Sequence, residues 1–221
     1  MTHSAVHAST PTVRPWYRGI GTVPGIVGLG FVASWIVGLS VSTVSTAPHA
    51  TGAQVITQYA GHEGIGLVQF LCTEGLPAVG LAVVTAAVGR AAGGRYGRLV
   101  RGTGLAAAAL SLLMFGLGAV LTLWAVPGGH VAAAGALNDA VSRVDGVKML
   151  LLGAVGAGAV GLAGRGLPRW LAYVGAALAV TMAVTAVGYL FLLGGPAQVA
   201  VVSLPLLLVF VAAAGIVTGR R

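Results

Sequence analysis

The sequence predicts an all-α, polytopic membrane protein: a six-transmembrane-helix bundle with two short outer amphipathic helices. Three observations lead there. Of the 221 residues, 57% are hydrophobic and 7% charged, where a soluble domain carries about 25% charged residues. Six apolar runs come close to or exceed the roughly 20 residues that cross a hydrocarbon core. The basic residues collect in alternate connections between those runs, as the positive-inside rule requires of a multispan chain.

The runs lie at 19–44, 65–88, 103–126, 147–164, 170–193 and 198–218. They form one membrane domain, 19–218, between an N-terminal tail 1–18 and a C-terminus 219–221. Arg14 and Arg18 precede the first run, and Arg90, Arg95, Arg98 and Arg101 separate the second from the third. Arg165 and Arg169 separate the fourth from the fifth, and Arg220 and Arg221 end the chain. Ten of the twelve Lys and Arg residues therefore share one side. Arg143 and Lys148 fall on the other, with Glu63, Asp139 and Asp145. Both termini are expected in the cytoplasm, and an odd number of spans would break the alternation. The net charge of +8 is thus read as orientation in a lipid bilayer, with no nucleic-acid partner.

The tail before span one is polar and basic, like the start of a secretory signal. The run behind it, however, has about 26 residues against roughly 7–15 for a signal's apolar region, so it is expected to stay as a span. His3 and His7 read as part of a disordered tail. Gly21 and Gly25 allow close helix approach. Trp16, Tyr17 and Trp170 suit the basic-side interface, and Trp124 and Tyr189 the outer one. Trp35 is mid-span and is assigned to helix packing. Pro24 in span one and Pro205 in span six are possible kinks.

Span two carries the main anomaly. Glu63 stands at its mouth and Glu74 within it, with Gly75 and Pro77 directly after. On a continuous helix the two carboxylates share one face about 16 Å apart. Pro77 cannot donate to the carbonyl of Thr73, which leaves a free acceptor beside Glu74. An ionised carboxylate at a span's centre costs about 2.5–3.5 kcal/mol on insertion scales, so it marks a functional-site hypothesis by default. Lys148, at the outer end of span four, has a long stem to reach it. A Glu74–Lys148 pair is expected, either purely structural or at the floor of a cavity; a protonated Glu74 facing lipid is the alternative. Cys72, the single cysteine, allows no intramolecular disulfide and reads as a small core residue.

The two longer outer connections look alike. The first, 46–64, contains Pro48, His49, a Thr51-Gly-Ala-Gln54 capping box and His62-Glu63-Gly64. The second, 127–146, contains His130, a stripe of Leu137, Ala140, Val141 and Val144, and Asp145-Gly146. Each is expected to hold a short helix on the membrane surface, which suggests a duplicated two-span hairpin. In span four, Gly153, Ala157 and Gly161 mark one close-approach face. Gly156-x-Gly158-x-x-Gly161 matches a dinucleotide fingerprint but has no strand before it, so helix contact explains it better. Thr181, Thr185 and Tyr189 form a polar stripe on span five, bonding their own backbone or lining the same cavity as Glu74 and Thr73.

His49, His62 and His130, with Glu63 and Asp145, have the donor chemistry for an outer zinc or copper site. No two of these histidines have a tight ligand spacing. The other readings are solvated loop residues or a polar vestibule leading to Glu74. Signatures of metalloproteases, phosphate-binding loops and serine hydrolases are absent, and the basic side has no acid to hold magnesium for nucleotide hydrolysis.

In Val55-Ile-Thr-Gln-Tyr59-Ala-Gly-His62 after span one, and Gly166-Leu-Pro-Arg-Trp170-Leu-Ala-Tyr173 at the start of span five, the chain resembles the small Ala/Gly/Val-rich multispan proteins of high-GC bacteria grouped as domains of unknown function. That resemblance implies a bacterial cytoplasmic membrane and transfers no catalytic residue. The leading expectation is binding or passage of a small solute or ion through an outward-facing polar cavity with Glu74 near its floor. An enzyme using the outer His/acid cluster and a non-catalytic subunit of a membrane complex, or a homo-oligomer, are the other classes.

Overall fold

The computed structural model of the chain describes residues 22–41 and 46–220. The expectations attached to His3, His7, Arg14, Trp16, Tyr17, Arg18, Gly21 and Arg221 lie outside those residues. The helices are α1 (Val23–Val41), α2 (Gly52–Tyr59), α3 (Glu63–Ala92), α4 (Gly94–Ala125), α5 (Val131–Gly161), α6 (Arg169–Leu190), α7 (Gly194–Ala197) and α8 (Ala200–Thr218). Six segments are long and apolar enough to cross a bilayer, namely α1, α3, α4, α5, α6 and the α7–α8 run Gly194–Thr218. The chain is an integral membrane protein of all-α architecture. Its two ends are termed the basic side, where the arginine-rich connections lie, and the acidic side, where Glu63 and Asp139 lie.

The acidic-side connections differ from each other. Thr51 caps α2 with the expected box: Gln54 N donates to Thr51 Oγ1 at 3.4 Å and Thr51 N to Gln54 Oε1 at 2.8 Å. The helix does not lie free on the membrane surface, though. Val55 and Tyr59 are buried against Leu121, Ala125, Val126 and Ala134, and the Gly52 backbone lies so close to the Val131 carbonyl that a Cβ would collide with it. Burial pushes the Tyr59 hydroxyl above its usual pKa, partly offset by Thr46. The second expected helix is not separate. It is the first part of α5, whose 31 residues span about 46 Å at 1.5 Å per residue and outrun a hydrocarbon core of about 30 Å. With no proline between His130 and Gly161, nothing stops the helix between connection and span. The two hairpins are therefore not structural duplicates.

Two π-helical turns occur, Leu71–Gly75 within α3 and Leu121–Ala125 at the end of α4. Leu76 N donates to the Leu71 carbonyl, and Val126 N to that of Leu121 at 3.0 Å. In both cases the next residue is a proline, Pro77 or Pro127. Proline removes a donor from the α-ladder and crowds the carbonyl four residues back, and the residue before it bonds one position further away. In the sequence the first of these breaks stands out, because a carboxylate lies beside its proline, whereas Pro127 reads only as the start of a connection. Glu63 and Glu74 consequently do not share one uninterrupted α-helix. Glu63 is half-buried at the start of α3 and accepts from Gly61 N at 3.0 Å, whereas Glu74 is buried in the π turn.

The core runs the length of the bundle between α3, α4, α5, α6 and α8. The small residues of α5 serve two neighbours rather than one face. A Cβ on Gly156 would sit 2.5 Å from the Gly175 carbonyl of α6, and one on Gly161 would sit 2.5 Å from the Tyr96 ring of α4. Ala157, expected on the same stripe, is exposed. Direct helix contact thus accounts for the fingerprint-like glycines. Overpacking a close contact costs about 1–3 kcal/mol, so Gly156→Val is expected to lower the thermal midpoint in detergent. Gly30→Ala, at a site with no neighbour within 4 Å, is expected to leave that midpoint unchanged or raise it.

Candidate functional site: a buried triad between two cavities

Lys148 and Asp145 are three residues apart on α5, so they lie on one face of it. Lys148 extends its stem towards the π turn of α3. Its Nζ lies 2.8 Å from both Oε1 and Oε2 of Glu74 and 2.8 Å from Oδ1 of Asp145. Glu74 is 5% and Lys148 3% exposed. Ser111 of α4 is also buried. A buried pair of this kind holds only because each charge sees the other at close range.

The charges do not balance. Two carboxylates share one ammonium, which leaves one negative charge uncompensated when all three groups are ionised. The ammonium stands 2.8 Å from an oxygen of each carboxylate, so the excess belongs to the triad as a whole, and Asp145 is the carboxylate that borders open space. Lys148 gives its two aligned hydrogen bonds to Glu74 and touches Asp145 Oδ1 as a charge. Among the described residues, that buried oxygen accepts no hydrogen bond, and neither does buried Oε1 of Gln69 on α3.

Two cavities meet at Asp145. The acidic-side chamber, of about 200 Å³, is bordered by Thr46, Tyr59, Gln69, Asn138 and Ser142. The central cavity, of about 400 Å³, draws walls from all six membrane segments and is mainly apolar, with Thr73, Ser111, Lys148 and Ser203 as polar points. Asp145 and Tyr189 border both. Glu74 borders neither and is sealed behind Lys148, so it does not form the cavity floor expected of it.

The remaining site residues divide as follows. Thr73 lines the central cavity, although its hydroxyl donates to the Gln69 carbonyl at 2.9 Å. Thr185 is fully buried and pairs with Ser203 at 3.3 Å, which places it behind the cavity wall. Thr181 donates to its own helix at Ala177, 2.9 Å away, and borders neither cavity. Tyr189 stands between the cavities instead of in an interfacial belt, and Trp35 lines the central cavity instead of only filling a helix contact.

The metal reading fails on geometry. Among the described residues no three His, Cys, Asp or Glu side chains come together in a way that could hold an ion. His130 stacks on Trp124, ring centroids 4.7 Å apart. His62 turns back on the Ala60 carbonyl at 3.2 Å, and His49 is exposed in the connection before α2. Glu63 caps its own turn, and Asp145 belongs to the triad. A stripe not singled out from the sequence, Asn138, Ser142 and Asp145, supplies the chamber wall. These residues recur at four and three positions, the spacing of one helix face, but the apolar Leu137, Ala140, Val141 and Val144 dominate the amphipathic pattern there.

No protein-family model matches this chain, and no curated protein or solved structure matches it.

Removing one member of a buried ion pair costs about 3–5 kcal/mol, because the partner is left charged in a low dielectric. Lys148→Met, which strands two carboxylates, is expected to lower unfolding stability in detergent by about that amount. Adding Glu74→Leu to the same chain is expected to recover much of it. Equal stability of Lys148→Met and wild type would show that the ammonium is dispensable.

Proposed function

We propose that this membrane protein binds a small cationic solute or ion at Asp145 and passes it between the acidic-side chamber and the central cavity. The observation that carries this reading is a triad of two carboxylates on one ammonium, whose Asp145 member borders both cavities. The chamber offers oxygen donors: the Asp145 carboxylate, the side-chain amides of Gln69 and Asn138, and the hydroxyls of Ser142 and Tyr189. Oxygen ligands suit hard cations and ammonium groups better than softer metals. When a cation occupies Asp145 it supplies the missing positive charge and Lys148 can give its full charge to Glu74, so loading removes the imbalance of the empty site. The π turn beside Glu74 is a natural place for such a shift, since π turns recur at functional sites in helices.

By the charge of the connections, the acidic side is assigned to the outside of a bacterial cytoplasmic membrane, with the termini inside. The chamber then faces outward. The dispersal of the histidines removes support for an outer metal enzyme.

The test is uptake of sodium or radiolabelled methylammonium into proteoliposomes. Wild type is expected to accumulate one of them above empty liposomes. Asp145→Asn, which leaves the neutral Glu74–Lys148 pair intact, is expected to fall to the empty-liposome level. Uptake by Asp145→Asn at the wild-type rate would refute the proposal.

A further inference from the structure

The central cavity is built for more than an inorganic ion. We infer that it takes an amphipathic amine, one cationic nitrogen on an apolar body, admitted sideways from the acidic-side leaflet between α1 and α8. The inference rests on the reading of Asp145 as a cation site and adds the class of solute and its route.

The walls supply the first reason. Phe31, Trp35, Leu152, Met182 and Leu207 line the central cavity, and a fully hydrated ion gains nothing from such surfaces. Pockets of about 300–1,000 Å³ with apolar walls and a few placed polar groups suit small organic ligands. At about 400 Å³ this one falls in that range. The charge at its polar end selects the head group: Asp145 and Lys148 both border the cavity, and with Glu74 behind them the ionised triad has an excess negative charge, which a cation neutralises and an anion adds to. The Trp35 ring adds a face that attracts cationic nitrogen.

The route is set by how α1 leans. Towards the basic side, α1 and α8 are in direct backbone contact. A Cβ on Gly28 would lie 3.1 Å from the Val211 carbonyl, and Gly215 is pressed against the Pro24 carbonyl. Towards the acidic side, α1 turns to α3 instead: Ser34 Oγ donates to the Cys72 carbonyl at 2.6 Å, and a Cβ on Gly38 would sit 2.7 Å from the Thr73 methyl. There α1 and α8 face each other across the cavity, with Trp35 and Leu39 on one lip and Val201 and Leu204 on the other. Leu39 is 50% and Val201 77% exposed, and both lie in segments apolar enough to cross a bilayer. Pro205 also deprives the Val201 carbonyl of its helical donor, which leaves an acceptor at that lip for a passing N–H.

The experiment uses the full chain in phosphatidylcholine nanodiscs, with Trp16, Trp124 and Trp170 changed to Phe so that Trp35 alone fluoresces. The probes are a bromine-substituted dodecylamine and the brominated carboxylic acid and alcohol of the same length. Saturable quenching by the amine, at least about tenfold tighter than by acid or alcohol, is expected. Asp145→Asn is expected to remove the amine's advantage over the alcohol, and Leu39→Phe with Val201→Phe to slow quenching by all three. Non-saturating quenching that is equal for the three probes would overturn the inference, and that comparison needs no variant at the site. If methylammonium uptake persists while the amine shows no saturable quenching, the lateral route and solute class are wrong and the cation site stands. Loss of both removes the cation site as well.

Discussion

One ammonium shared between carboxylates on two helices is the contact that the rest of the bundle accommodates. An unpaired carboxylate at the depth of Glu74 would be costly in lipid. Lys148 relieves that cost only if α3 and α5 stay in register to within a hydrogen-bond length. The long α5 supplies a rigid mount for Asp145 and Lys148, and its upper turns hold α2 against the end of α4. On the opposite flank, Gly156 locks α5 to α6. With both neighbours fixed, the triad has little freedom to exchange its polar contacts for lipid.

Proline chemistry shapes the other half of the site. In α3 and again in α4, a proline displaces the ladder by one residue and produces a π turn immediately before it. In α4 that turn ends the span, and the chain leaves for α5. In α3 the helix continues beyond it, and the widened turn presents Glu74 inward and Leu76 outward. The same local rule thus gives a terminus in one helix and a side-chain placement in the other. The difference lies in the residues after each proline: Pro127 is succeeded by Gly128 and Gly129, and Pro77 by helix that runs on through Ala92.

Much of this could be read from residue order alone, and the limits have physical causes. The all-α bundle follows from hydropathy and charge alternation, because a bilayer forces the backbone into helices. Glu74 and Lys148 could be matched because a buried acid needs a counter-charge and few were on that side. Asp145 was harder. A carboxylate three residues before a lysine in a loop-like stretch looks solvated until α5 is seen to run unbroken from Val131. The same continuity hid Asn138 and Ser142, which only become a cavity wall once that segment is a helix turned inward. Tyr189 could be read from its polar stripe as a cavity residue as well as a belt residue, and the cavity position is the one it takes. Trp35 looks like a packing residue by sequence depth, and its place on the cavity wall depends on how α1 diverges from α8, which no local pattern encodes.

The central claim is that water and small cations reach an uncompensated negative charge from both cavities, and thiol modification tests it most directly. In a Cys72→Ala background, Ser142→Cys samples the acidic-side chamber and Ser203→Cys the central cavity. A cationic methanethiosulfonate is expected to modify both far faster than its anionic counterpart, with the preference collapsing when Asp145→Asn is added. Equal rates for the two reagents, or no modification at either position, would contradict the account.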